Sequence, residues 1–127
     1  MKTHFTIALA MLAGFGLGAI AVQGLHAQAK PPAYYIAENE VSNPDGYTKE
    51  YLPRAMEIIK ANGGRYVAAG KATSLEGEPP KSRAVVIAFD GMEKIQAWRN
   101  SAEFKEHRKI GDKFATFRSY AIEGVPQ

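Results

Sequence analysis

Five residues have side chains that could do chemistry around a cleft: Tyr35, Asn39, Glu76, Arg83 and His107. They come from four separate segments, so only a fold can bring them together. Their types suit the polar points of a small-ligand pocket, where a few convergent groups orient a molecule held on apolar walls. Arg83 opens an apolar run, and its leading reading is a salt bridge with Glu76 across the intervening loop. The alternative is an anionic ligand met by the same guanidinium. His107 is the one histidine outside residues 1–29. A Ser-His-Asp triad would need it together with Ser101 or Ser119, and neither serine stands in a nucleophile-elbow motif. A histidine on a surface or at a helix end is the plainer reading. Asp45 reads as a helix-start acid rather than a cleft acid beside Tyr47. Trp98 falls in helical phase with Met92 and Ile95 and reads as core rather than as a ligand-stacking ring.

Composition removes several classes of chemistry. The chain has 127 residues and no cysteine, which excludes disulfides, thiolate catalysis and Cys-ligated zinc or iron–sulfur sites. One histidine without cysteine is a thin ligand set, so no metal and no cofactor are expected. Net charge is +3, or +2 once residues 1–29 with their single Lys are set aside. The basic residues are scattered, with Lys105, Arg108 and Lys109 the densest group, and this pattern argues against nucleic acid.

Residues 1–29 read as a secretory signal. Lys2 supplies a positive start, residues 5–22 carry no charge, and Ala27-Gln28-Ala29 is a small-x-small cleavage site. The expectation is a periplasmic or secreted mature chain, residues 30–127, cut after Ala29. The alternative is an uncleaved inner-membrane anchor, in which Gly14 and Gly18 could pack against another helix.

The elements that must position the candidates follow in order. Ala33 to Val41 reads as a strand with Tyr35, Ala37, Asn39 and Val41 on one face. After the turn Ser42–Gly46, an apolar stripe from Tyr47 to Ile59 predicts a helix that Pro53 should kink or break. Asn62-Gly63-Gly64 stops it. Arg65 to Ala69 is a second strand, and a polar loop leads to Ser82. Ala84 to Phe89 is a strand apolar on both faces. Asp90 with Glu93 reads as the capping box of the helix carrying Met92, Ile95 and Trp98. Ser101 starts a further short helix, and Arg118 to Glu123 is the last strand.

Strand, helix, strand, strand, helix, strand is the order of an α+β, ferredoxin-like βαββαβ domain with a four-stranded antiparallel sheet. The helices cover one face. An apolar second face on so short a chain calls for a partner sheet, so a two-fold homodimer is expected.

Several pieces of sequence carry a resemblance as well. They are Ala33-Tyr34-Tyr35-Ile36-Ala37-Glu38 with Asp45 and Tyr47, then Gly63-Gly64-Arg65-Tyr66 and Glu76-Gly77. Arg83 with Val85–Phe89 follows, then Ala97-Trp98, Ser101, Glu103-Phe104 and Glu123-Gly124-Val125. In this order and spacing, residues 33–125 resemble the bacterial family called domain of unknown function thirteen-thirty, within the dimeric α/β-barrel superfamily. Gly70-Lys71 and Phe104 depart from its usual residues, as does the leader. The resemblance implies the dimeric barrel and no particular reaction. The resulting expectation is an exported dimer that binds a small ligand between sheet and helices. One alternative is a cofactor-free enzyme, monooxygenase- or isomerase-like, in the same cleft. Another is an interaction module tethered to the membrane if the leader is retained.

Overall fold

Alternation in β1 (Ala33–Val41) buries Ala33, Tyr35, Ala37 and Asn39 and turns Tyr34, Ile36 and Glu38 to the other face. The computed structural model describes residues 31–126. The leader expected over 1–29 lies outside the described residues. β1 pairs antiparallel with β3 (Arg83–Phe89) on one side and β4 (Ala115–Glu123) on the other. β2 (Arg65–Gly70) adds to the free edge of β3, giving the order β2-β3-β1-β4. This is the ferredoxin-like arrangement that the element order predicts. Residues 31–125 form one compact unit.

The first helical segment is less regular than its apolar stripe suggests. Asn43 caps a single turn, Pro44–Gly46, by accepting from the Gly46 N–H at 3.1 Å. Asp45 stands in that first turn, as expected of a helix-start acid, and pairs with Lys49 at 3.1 Å on the surface. Tyr47–Tyr51 is then π-helical, and α1 (Leu52–Ala61) follows with Pro53 in its first turn. Proline lacks the N–H that would continue a regular ladder and crowds the carbonyl four residues back. The wider turn accommodates it, so the expected kink takes the form of a π segment. Asn62 and Gly63 close α1, with Gly63 at φ +88°, a conformation suited to glycine.

The helix after β3 starts one residue later than the capping box requires. Gly91 is the N-cap of α2 (Met92–Asn100) and no side chain caps it. Asp90 points to solvent, its side chain 83% exposed and 4.0 Å from Arg65. Ser101 behaves as expected: its Oγ accepts from the Phe104 N–H at 3.2 Å and starts α3 (Ala102–Gly111). β4 begins at Ala115, three residues before the predicted start, because Ala115, Thr116 and Phe117 complete the pairing with Val41, Glu40 and Asn39.

The helices cover one sheet face. Trp98, 3% exposed, stands at the middle of the core. Tyr35 and Phe104 meet it edge-on at 4.9 and 5.0 Å, and Phe89 stacks on it at 5.4 Å. Burial of this size makes a core role for Trp98 secure. The opposite sheet face keeps Tyr120 and Ile122 about half exposed, 49% and 51%. Among the described residues no helix is long and apolar enough to cross a membrane.

Candidate functional site

Sheet register arranges the inner face in rows. Phe117, Asn39 and Arg83 lie side by side near one end; Ser119, Ala37 and Val85 form the next row; Ala121, Tyr35, Ile87 and Tyr66 form the third. The middle row is made of small side chains between two rows of large ones. A hollow above Ala37 follows from that sequence of sizes, since the helices rest on the taller rows. The hollow is a cavity of about 30 Å³, roofed by Tyr47, Tyr51, Leu52, Ala55 and Ile59. Trp98 and Arg108 close its sides.

The cavity is narrow, with room for about a water molecule or two or the head group of a ligand. Its polar lining is distinctive. Asn39 is 4% exposed and its Nδ2 donates to the Tyr47 hydroxyl at 3.3 Å. Its Oδ1 has no partner, and neither do the Nε–H of Arg83 and the Nε1–H of Trp98. Native interiors leave few polar atoms unpaired, because each costs about 1–3 kcal/mol. Here the three residues that carry such atoms line one cavity.

The π segment shapes the roof. It sets Tyr47 and Tyr51 with ring centroids 5.4 Å apart, and it leaves the Tyr51 carbonyl to accept from His107 Nε2 at 2.7 Å. A carbonyl only accepts, so Nε2 carries the proton. The His107 imidazole also stacks on the Tyr51 ring at 4.9 Å and 9°. Gly111 lets α3 approach: a Cβ there would meet the Tyr51 ring at 2.6 Å. Arg108 donates from Nε to the Tyr51 hydroxyl at 3.2 Å, with its guanidinium 3.8 Å from the Phe117 ring centroid. Burial raises the Tyr51 pKa, and Arg108 offsets only part of that. For Arg108 burial opposes the charge, but the Tyr51 and Tyr35 phenols together outweigh it and the pKa goes up. Burial pushes Tyr66 up to about 12.

Of the five residues singled out in the sequence, Tyr35, Asn39 and Arg83 line this cavity together. Asn39 and Arg83 are direct cross-strand partners. His107 sits one layer away, behind Tyr51. Glu76 is exposed in the β2–β3 loop and does not line this cavity. The expected Arg83–Glu76 salt bridge is absent among the described residues; Arg83 lies over the Tyr47 ring, 5.9 Å from its centroid. The loop carries Glu76 into solvent, and β3 turns Arg83 inward in phase with Val85 and Ile87. Among the described residues, no three His, Cys, Asp or Glu side chains gather as a metal site.

Arg108 and Tyr51 went unnoticed as site residues in the sequence. Arg108 sits in a basic stretch, and its inward turn depends on how α3 docks. Tyr51 was legible as part of an apolar stripe, but its place in the roof depends on the π segment.

Comparison with known proteins agrees with this architecture. A crystal structure of a protein of unknown function from Rhodopseudomonas palustris superposes with a TM-score of 0.63 at 11% identity, over 86% of this chain and 94% of that one. A cofactor-independent oxygenase from Streptomyces nogalater gives 0.56 at 8% identity, over 76% and 96%. A dimeric ferredoxin-like protein of unknown function from Thermobifida fusca gives 0.53 at 17%, over 74% and 92%. At these identities the likeness is one of fold. No curated protein matches the chain in sequence. The sequence pattern of one family does match, over residues 32–125, which takes in every strand and helix described above and all the cavity-lining residues. The chain belongs to the family described as Domain of unknown function (DUF1330).

Proposed function

We propose that this protein binds a small organic ligand in the cleft between the inner sheet face and α1. The observation that carries this reading is the set of three buried, unpaired polar atoms on Asn39, Arg83 and Trp98, three residues that line one aromatic-walled cavity. A purely structural core would be expected to pair or replace such groups. The test is a screen of chemically diverse fragments, observed through the indole N–H resonance of Trp98, the single tryptophan of the chain. Fragments that move this resonance support the reading. An indole signal that no fragment moves would refute it.

A second reading is a cofactor-free enzyme acting in the same cleft. Its support is the shared fold of the Streptomyces nogalater oxygenase and the Arg108–Tyr51 pair beside the cavity. Incubating a bound fragment with the protein in air and finding a product by mass would favour it over simple binding; recovery of unchanged fragment would count against it.

The assembly we propose is a homodimer through the outer sheet face. Cross-strand neighbours Tyr34, Ile36, Val86, Tyr120 and Ile122 form an apolar tract there, bordered by the Glu38–Arg118 ion pair at 2.8 Å. Such a tract is a natural self-association surface, and the Thermobifida fusca neighbour is a dimer. Sedimentation as a monomer at micromolar concentration would contradict this. Export follows from the leader reading, and N-terminal sequencing of the cellular protein tests it: a start at Lys30 supports cleavage, and a start at Met1 supports an anchor.

A further inference from the structure

The charge around the cavity is one-sided. Arg83 and Arg108 both line it, and no carboxylate lines it with them. Neither guanidinium has an ion-pair partner within 4.0 Å among the described residues, although the surface carries several such pairs between other residues. Arg108 is held by the Tyr51 hydroxyl and by the Phe104 and Phe117 rings. Arg83 lies over the Tyr47 ring and acts electrostatically on the Tyr66 phenol, and its Nε–H is unpaired. Cations held in a partly buried pocket favour an anion there, since a low local dielectric strengthens the attraction.

The unpaired atoms narrow the class further. The N–H groups of Arg83 and Trp98 can only donate, so the ligand must present acceptors to them, as a carboxylate does. The free end of the Asn39 amide asks for a different group. Its oxygen accepts, and a hydroxyl can supply that proton.

We infer that the ligand of this cleft is a small hydroxycarboxylate, its carboxylate held by Arg83 and Trp98 and its hydroxyl by Asn39. The inference rests on the ligand-binding reading above and names the ligand class for it. The cavity volume suits the charged head of such a molecule, with any larger body remaining outside.

The experiment is an NMR titration of the full protein with three probes of similar size: lactate, propionate and lactamide. The signals followed are the Trp98 indole N–H and the arginine Nε–H resonances. Lactate is expected to shift both and to bind at least about tenfold more tightly than lactamide, the span of one hydrogen bond to a charged group. Propionate is expected to lie between them. Arg83→Met is expected to abolish the preference of lactate over lactamide. Equal binding of lactate and lactamide by the wild-type protein would overturn the anion assignment, whatever the variant does. Equal binding of lactate and propionate would overturn the role given to Asn39. If none of the three moves the Trp98 signal while neutral fragments do, the inference fails and the binding reading stands. If nothing moves it, both fail.

Discussion

The two ends of the inner sheet face are built differently. At one end Phe89, Trp98, Phe104, Ile58, Ile59 and Ile95 pack into a cluster in which rings meet rings. At the other end Tyr47, Tyr51, Ala55 and Ala115 form a second cluster, bordered by Phe117 and by the cations of Arg83 and Arg108. The first end has one unpaired polar atom, the Trp98 N–H, on a residue that also lines the second end's cavity. The second has a π segment, a proline in the turn after it, and polar atoms without partners. One end is arranged for stability, and the other holds features that weaken a core and suit a ligand.

Substitutions can break or sharpen this contrast. The largest effect belongs to the apolar end. Phe89 is fully buried, and Phe89→Ala should lower stability by about 3–5 kcal/mol. In a domain of this size that is a drop of roughly 15 °C or more in melting midpoint. A change below about 1 kcal/mol would mean that this end is not the core. Tyr47→Phe at the other end should lose about 0.5–1.5 kcal/mol, because it removes the hydroxyl that accepts from Asn39.

Arg83→Met should behave in the opposite way to a core substitution. It removes a buried N–H that has no partner, so chemical denaturation should show stability unchanged or raised by up to about 1 kcal/mol. Clear destabilisation would show that Arg83 is structural after all.

The smallest effect is alkaline. Tyr66 keeps its proton to about 12 in the folded state, against an ordinary value near 10, mainly through burial. Between these values the unfolded chain has released a proton that the folded chain retains. Stability is therefore fully present below about pH 10 and declines as pH rises toward 12. Tyr66→Phe should flatten part of that decline in denaturation curves taken across this range; an unchanged slope would remove Tyr66 from the account.

Much of the fold was legible because it rests on local patterns. The alternation in Ala33–Val41, the apolar run before Phe89 and the Ser101 cap each act through near neighbours. Asp90 was misread because a strand exit in extended geometry at Gly91 moves the helix start by one residue. The site was half legible. Tyr35, Asn39 and Arg83 share a face through period-two alternation and strand pairing, which a sequence pattern can suggest. Arg108 reaches the cavity only through the docking of α3 on Tyr51, and nothing in a run of basic residues announces that. Glu76 looked like a partner for Arg83 across the connecting loop, but that loop leaves Glu76 exposed and outside the cavity lining.

The most direct test is a high-resolution crystal structure of the protein as isolated from its own cells. The atoms to inspect are Asn39 Oδ1, Arg83 Nε and Trp98 Nε1. The account predicts a bound small anion within hydrogen-bond distance of the two N–H groups, with a hydroxyl toward Asn39. Protein side chains closing over all three atoms, with the cavity filled, would contradict it.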